Sequence, residues 1–194
     1  IYLVVLLVFS VMTYSYFGLH VSKTLRPEDI EAIKSLVKDD LCEKAHSNFA
    51  SQVSCIKSLQ KTIIEFGEDI CSGRFSKVEP PNYLSRGYGC CYNRARVIEK
   101  SLIYFGFKTR RVFLLQNIHG KVLDNFLPLN QQSHAATEVL TQRGWLGVDS
   151  THPFVLVDSL GQPRTYEFVI VNRLMADHLV PKHFYKHPIQ IVYG

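Results

Sequence analysis

The stretch Gly87-Tyr88-Gly89-Cys90-Cys91-Tyr92-Asn93-Arg94-Ala95 decides how this chain is interpreted. It predicts a glycine-containing loop that delivers a cysteine to the first turn of a helix. The N-terminus of a helix carries partial positive charge and free N–H groups, which lower the pKa of a cysteine thiol there. The same N–H groups can bind the oxyanion that forms on an attacked carbonyl, and the glycines let an acyl substrate approach the backbone. Taken alone, the stretch also fits two buried or disulfide-bonded cysteines.

Helices precede strands along the chain. Apolar residues at helical spacing predict one helix through Ile30, Ile33, Val37 and Leu41, a second from Phe49 to Ile63 that ends at Gly67, and a third from Cys91 to Phe105. Residues 68–89 are predicted to form a loop. The β-prone runs that follow are Thr109–Leu115, His134–Thr141, Trp145–Ser150 and, more weakly, Phe154–Val157 and Tyr166–Val171. This order predicts an α+β domain with an antiparallel sheet.

Two further segments supply partners for a cysteine nucleophile. His134 begins one predicted strand and Asp149 ends the next, and the two residues are nearly symmetric about a predicted turn at 142–144. If these strands pair as a hairpin, the imidazole and the carboxylate lie side by side. A thiolate nucleophile needs an imidazole to carry its proton, and a carboxylate fixes the tautomer of that imidazole.

The order Cys, His, Asp resembles the transglutaminase-like superfamily of papain-fold cysteine enzymes. The resemblance covers about residues 45–150 and assigns Cys91 rather than Cys90 as the nucleophile. The residues that carry it are Gly89, Cys91, Asn93 and Ala95 at the helix start, Gly106 and Arg110 after the helix, His134, Glu138 and Val139 in one strand, and Gly144, Trp145 and Asp149 in the next. The chain departs from the family at Ala136, where an aromatic residue is common, and at Asn93, where aspartate is common.

The resemblance implies acyl transfer through a thioester on Cys91, with His134 moving the proton and Asp149 orienting His134. The amide of a peptide bond or a glutamine side chain is the expected substrate. Hydrolysis is favoured over crosslinking, since the chain lacks the extra domains and calcium-ligand clusters of animal transglutaminases. No cofactor or metal is expected. Gly89, Tyr92 and Trp145 are expected to bind substrate, and the candidates for a second oxyanion donor are Gln52 and Tyr83.

Two functions from different classes therefore remain open. One is a cysteine protease, amidase or acyltransferase. The other is a catalytically silent transglutaminase-like module that binds a peptide or glycan in an envelope or polysaccharide pathway. The chain has Ala136 where the family commonly has an aromatic residue, and the sequence shows no clear second oxyanion donor. Both features favour the silent module.

The first twenty residues predict a membrane anchor. They contain no Lys, Arg, Asp or Glu, 15 of the 20 are apolar, and a bilayer core requires about 20 such residues in a helix. A signal peptide is the alternative, but no small-x-small cleavage site follows. We expect an anchor at 1–20, a catalytic domain at 21–177 and a solvated tail at 178–194 that carries His183 and His187.

Cysteine usage and charge bear on localisation. Five cysteines allow two disulfides and one free nucleophile, which suits an extracytoplasmic domain, or five reduced thiols. Lys23 and Arg26 after the span mildly favour the cytoplasmic side. Because a lone N-terminal anchor often holds a domain outside the cytoplasm, a single-pass protein with an extracytoplasmic domain is the favoured interpretation.

Composition excludes several classes of protein. The chain has 194 residues, 46% of them hydrophobic, and a net charge of +5. A disordered chain would be poorer in apolar residues and more strongly charged. Nucleic acid is not an expected partner, because the basic residues form no dense cluster and no recognition module accompanies them.

Overall fold

The computed structural model describes residues 22–71, 79–116, 133–172, 179–180 and 189–193. Within them the α-helices are α1 (Pro27–Leu36), α2 (Phe49–Phe66), α3 (Pro80–Arg86), α4 (Cys91–Tyr104) and α5 (Tyr166–Val171), and Asp39–Cys42 forms a 3-10 turn. The strands are β1 (Lys108–Gln116), β2 (Ser133–Thr141), β3 (Gly144–Val148) and β4 (Ile189–Tyr193).

All strand pairs in the four-stranded sheet are antiparallel, and the order is β3-β2-β1-β4. The pairing of β2 with β3 runs from Thr141 opposite Gly144 to Thr137 opposite Val148, so the two strands form the predicted hairpin. The prediction of an α+β domain with an antiparallel sheet is confirmed.

The long helices begin and end where local chemistry dictates. The side chain of Asn48 accepts the backbone N–H of Ser51 at 2.8 Å and caps the start of α2, which ends at Gly67 as predicted. At the start of α4, the Asn93 side chain accepts the N–H of Cys90 at 3.3 Å, so Cys90 is the N-cap and Cys91 the first helical residue. The helix start expected from the sequence is confirmed.

Two elements differ from the sequence prediction. Residues Tyr166–Val171 form α5 rather than a strand, because the Thr165 hydroxyl accepts the N–H of Phe168 at 3.1 Å and starts a helix. The predicted loop 68–89 contains α3. Proline is well tolerated in the first turn of a helix, and Pro80 starts α3, which ends at Gly87 with φ of 70°.

The C-terminal region is also corrected. Residues 189–193, predicted to belong to a tail, form β4 and pair with β1 from Val112 opposite Tyr193 to Gln116 opposite Ile189. The sheet therefore extends past the predicted boundary at residue 177. His183, His187 and the predicted anchor at 1–20 lie outside the described residues, and none of the described helices has the length and apolarity to cross a membrane.

The helix α4 packs between the other helices and the sheet. On one face it shares an apolar core with α2 and the hairpin, built from buried residues such as Ile56, Val97 and Val139. The opposite face of the sheet packs on α5 through a second cluster that includes Ala136, Leu156 and Tyr166. The start of α4 is thereby fixed against β2.

Buried charges also hold α4 in place. Lys100 contacts Asp29 at 2.5 Å and Glu79 at 2.6 Å, and Glu99 pairs with Arg96 at 2.9 Å and with Arg111 at 2.5 Å. Removing one member of such a network leaves an uncompensated buried charge, which typically costs about 3–5 kcal/mol. These ion pairs fix the position of α4 relative to α1 and β1.

Candidate active site

The N-terminus of α4 places Cys91 against β2. The Cys91 side chain packs on Ala95, Phe113 and Ala135, and the backbone N–H of Ala135 donates a hydrogen bond to its sulfur. Ala135 directly follows His134 in the sequence. The first position of the helix and the strand that carries the predicted imidazole therefore meet at the Cys91 thiol.

The β2–β3 hairpin brings His134 and Asp149 together. The His134 Nε2 and the Asp149 Oδ2 are 2.7 Å apart, which is a short hydrogen-bonded contact. His134 is partly exposed, whereas Asp149 is fully buried. With Nε2 directed at the carboxylate, Nδ1 is the ring nitrogen that would exchange a proton with a thiol.

Asp149 accepts hydrogen bonds at both of its carboxylate oxygens. Oδ1 accepts the backbone N–H groups of Thr151 at 2.8 Å and His152 at 2.7 Å, and Oδ2 accepts the hydroxyl of Tyr166 at 3.3 Å in addition to His134. Burial alone would raise the pKa of Asp149, but the hydrogen bonds from His134 and His152 hold that pKa well below its ordinary value. Asp149 is therefore a carboxylate across the physiological pH range.

A second histidine that the sequence analysis did not identify lies on the same carboxylate. The Nδ1 of His152 is 3.5 Å from Oδ1 of Asp149, and the ring stacks on Phe154 with ring centroids 6.3 Å apart. The hydrogen bond to Asp149 raises the pKa of His152. Its spacing of three residues after Asp149 is the sequence signal that could have identified it.

Gln60 fixes the loop that follows Asp149. Its Nε2 donates to the backbone carbonyls of Asp149 at 2.7 Å, His152 at 3.1 Å and Phe154 at 2.7 Å, and the side chain is fully buried. The sequence places Gln60 on the apolar face of α2 without assigning it a role. A glutamine among buried apolar positions was the available signal, because buried amides are usually hydrogen-bonded.

We expect Gln60→Met to loosen this loop. Methionine has a similar volume but no N–H, so the carbonyl of Asp149 loses its side-chain donor, while the carbonyls of His152 and Phe154 keep only the backbone N–H groups of Phe154 and Asp149. The free energy of unfolding should fall by about 1–3 kcal/mol. Guanidinium unfolding measures that loss, and the alkylation rate of Cys91 reports whether the pair of His134 and Asp149 is disturbed. Gln52→Met, on the same helix, is the matched control and should leave the alkylation rate of Cys91 unchanged. Equal stability of the Gln60 variant and wild type would contradict the assigned role.

The structure does not bring Gln52 and Trp145 to the site. The Gln52 Oε1 accepts the N–H of Gln142 at 2.8 Å in the hairpin turn, about 25 Å along β2 from His134. Trp145 lies about 13 Å along β3 from Asp149. Its ring lies under the guanidinium of Arg110, 4.4 Å from the ring centroid. The expectation for Gln52 is wrong, because the turn is at the opposite end of the hairpin from the catalytic candidates. A substrate contact at Trp145 stays a prediction.

Tyr83 and Gly89 support the loop rather than the chemistry. The buried Tyr83 hydroxyl donates to the carbonyl of Ile63 at 2.7 Å, so it is committed to α2 and is not an oxyanion donor. A Cβ at Gly89 would lie 3.0 Å from the Tyr83 ring and 2.8 Å from the Cβ of Asn93. Glycine is needed here for close packing of the loop, and a substrate contact at Gly89 stays a prediction.

The remaining expectations concern Tyr92 and the two departures from the family. Tyr92 is partly exposed next to Cys91 and stacks on Phe113 with ring centroids 6.0 Å apart, so it stays a candidate substrate contact. Ala136 is fully buried against α5, where an aromatic side chain would not fit. The Asn93 Oδ1 accepts the Cys90 thiol at 3.6 Å and places no negative charge beside the cysteines.

Three free cysteines meet at the site. Cys71 and Cys91 both interact with the Cys90 sulfur. The hydrogen bond from Cys91, together with those from Cys71 and the backbone N–H of Tyr92, lowers the pKa of Cys90 to about 5. The same hydrogen bond from Cys90 raises the pKa of Cys91, and burial together with Cys90 raises the pKa of Cys71 to about 12. When all three cysteines are reduced, the thiolate is therefore held mainly on Cys90.

Comparison with known proteins finds similar folds. No family model matches the chain, and no curated protein matches it in sequence. A crystal structure of a candidate cysteine protease from Cytophaga hutchinsonii matches 66% of this chain and 43% of its own, with 18% identity and a TM-score of 0.41. A crystal structure of a transglutaminase matches 92% of this chain and 43% of its own, with 12% identity and a TM-score of 0.45. The chain thus spans less than half the length of each.

Proposed function

We propose that this protein is a membrane-anchored cysteine acyl-transfer enzyme that acts on an amide, either a peptide bond or a glutamine side chain, through a thioester on Cys91. The observation that carries the proposal is the 2.7 Å contact between His134 and the buried Asp149, at the strand against which the Cys91 thiol packs. A histidine oriented by a buried carboxylate beside a cysteine at a helix N-terminus is the arrangement that thiol catalysis requires.

The proposed first half-reaction forms the thioester. The Cys91 sulfur gives its proton to His134 and attacks the amide carbon, and the carbonyl electrons move to oxygen. The free N–H groups at the start of α4 would bind that oxyanion. When the carbon–nitrogen bond breaks, the leaving nitrogen takes the proton from His134. Asp149 stabilises the imidazolium that exists between these two transfers.

The second half-reaction releases the acyl group. Water gives a proton to His134, its oxygen attacks the thioester carbon, and Cys91 leaves as the thiol after taking that proton back. The product with water is a carboxylic acid, and an amine acceptor would give a new amide instead. We propose hydrolysis as the main outcome.

The proposed location is the extracytoplasmic side of a membrane. Cys42 and Cys55 form a disulfide with Cα atoms 5.0 Å apart, and disulfides of this kind persist in oxidising compartments. The apolar segment at 1–20 would hold the domain there. This placement suggests peptides or proteins of the cell envelope as substrates.

A silent binding module is the second candidate function. Two observations favour it: Cys90 raises the pKa of Cys91, and neither predicted oxyanion donor, Gln52 or Tyr83, directs its polar group at the site. In that function the cleft would bind a peptide or glycan without forming a thioester.

Alkylation of Cys91 with iodoacetamide separates the two functions. In a Cys71→Ser/Cys90→Ser background, Cys91 is the remaining thiol outside the disulfide. An enzyme should show rapid alkylation near pH 6 that His134→Ala slows at least about tenfold, because the imidazolium stabilises the thiolate. If Cys91 titrates like a free thiol near pH 8.5 in both proteins, no thiolate–imidazolium pair exists and the enzyme proposal fails.

A further inference from the structure

Cys71 and Cys90 lie on two segments that the backbone holds side by side. Glu68 and Tyr88 form a parallel bridge, and the N–H of Gly89 donates to the carbonyl of Glu68 at 2.9 Å. Backbones paired in this way are about 5 Å apart. Cysteines form a disulfide when their Cα atoms are about 4.4–6.8 Å apart, so the spacing of these segments suits one.

The side chains of these two cysteines are close enough to interact. The Cys90 sulfur raises the pKa of the Cys71 thiol, and Cys71 is exposed to solvent. Cys91 packs against the strand that carries His134, where its sulfur accepts the backbone N–H of Ala135. An oxidant in solution can therefore reach the Cys71–Cys90 side of the cluster, whereas Cys91 faces the strand that carries His134.

We propose that Cys71 and Cys90 form a second disulfide when the protein meets a low-molecular-weight disulfide such as oxidised glutathione, and that this bond leaves Cys91 as the one reactive thiol of the site. The Cys90 thiolate attacks one sulfur of oxidised glutathione, and a glutathione thiolate leaves. Cys71 then attacks the Cys90 sulfur of the mixed disulfide, and the second glutathione leaves. Two cysteines are oxidised and one glutathione disulfide is reduced to two thiols. Of the two protons that the glutathione thiolates take up, one comes from Cys71 and one from solvent, into which Cys90 had released its own.

The bond would change the acidity of Cys91 in a defined direction. The hydrogen bond with Cys90 and the charge on that sulfur both raise the pKa of Cys91, and Cys71 adds to the effect. A disulfide removes both titrating groups, while the N–H of Ala135 stays in place to stabilise a Cys91 thiolate. Oxidation would therefore activate Cys91 rather than inactivate the site. This second half of the proposal rests on the proposed function, whereas the disulfide itself does not.

The test compares the full chain after gentle reduction with the same chain equilibrated in a glutathione redox buffer. Acid quenching, alkylation and non-reducing peptide mapping by mass spectrometry identify the linkage. We expect Cys71 linked to Cys90 after oxidation. With iodoacetamide at pH 7, the fastest-modified residue should change from Cys90 in the reduced protein to Cys91 in the oxidised one, and the rate at Cys91 should rise at least about tenfold.

Matched variants make each outcome decisive. Cys71→Ser should abolish the linkage and leave Cys90 in the mixed disulfide with glutathione, which its added mass identifies. A linkage through Cys91, or three free thiols in a buffer that keeps the Cys42–Cys55 bond intact, would overturn the proposed disulfide. A Cys91 that reacts no faster once the linkage has formed would overturn the proposed activation. The linkage is measured by mass and not by turnover, so failure of the proposed catalysis would appear separately. It would appear as an alkylation rate of Cys91 that His134→Ala does not change.

Discussion

Replacing Cys91 with alanine is expected to abolish acyl transfer, whereas replacing Cys90 with serine is expected to preserve or increase it. The alanine variant has no sulfur to form the thioester, so the rate should fall by at least about 10³-fold. Serine at position 90 is a preferred N-cap, so α4 should still begin at Cys91. It also removes the thiolate that raises the pKa of Cys91. The activity of the serine variant at neutral pH should therefore be equal to or above that of the reduced wild type.

The measurement uses a glutamine peptide, benzyloxycarbonyl-Gln-Gly, with ammonia release for hydrolysis and hydroxamate formation with hydroxylamine for transfer. A set of unrelated quenched fluorescent peptides tests cleavage of the backbone. Thermal unfolding of both variants checks that the fold is retained. The reverse pattern, with Cys90→Ser inactive and Cys91→Ala active, would show that the nucleophile is Cys90 and that the resemblance was aligned one residue out of register.

The sequence was sufficient to predict the elements that depend on local patterns. The N-terminus of α4 follows from a glycine-containing loop and a helical repeat, and the contact between His134 and Asp149 follows from their symmetry about one short turn. A hairpin fixes its own register, so two residues at its open end must meet. These two local arguments place the catalytic candidates without knowledge of the rest of the fold.

The features that depend on distant packing could not be predicted. Cys71 and Cys90 meet because two loops pair through Glu68 and Tyr88, and no periodic pattern marks such a bridge. Tyr166–Val171 has the β-branched and aromatic composition of a strand, but Thr165 caps it as a helix. The same limit applies to Trp145, whose contact with the guanidinium of Arg110 joins β3 to β1 across the sheet.

Asp149→Asn is expected to reduce both the rate and the stability, and the loss of stability should depend on pH. Each carboxylate oxygen of Asp149 accepts hydrogen bonds from two donors. Asparagine replaces one of these oxygens with an N–H₂ group, so in either orientation of the amide this group faces donors instead of acceptors. Leaving such buried groups unsatisfied costs about 1–3 kcal/mol each, and we expect a loss of about 3 kcal/mol at pH 7. An asparagine also favours the wrong histidine tautomer, and the comparable change in a serine protease triad lowers the rate by about 10⁴-fold.

The sign of the pH dependence follows from the lowered pKa of Asp149. Because its pKa is lower in the folded chain than in the unfolded chain, where it is about 3.9, the carboxylate stabilises the fold fully at pH values above about 4. That contribution is lost as the pH falls below 4 toward the folded-state pKa. The difference in unfolding free energy between wild type and Asp149→Asn should therefore be constant between about pH 5 and pH 6 and shrink between about pH 4 and pH 2. It should also shrink as the pH rises above about 6.5, because Asp149 raises the pKa of His152 and that contribution to stability is lost as His152 deprotonates. Denaturant unfolding across this range measures the difference in unfolding free energy. As a control, Asp158→Asn removes a carboxylate from a surface turn and should leave the alkylation rate of Cys91 unchanged. A difference that stays constant down to pH 2 would show that the carboxylate of Asp149 does not stabilise the fold through its charge.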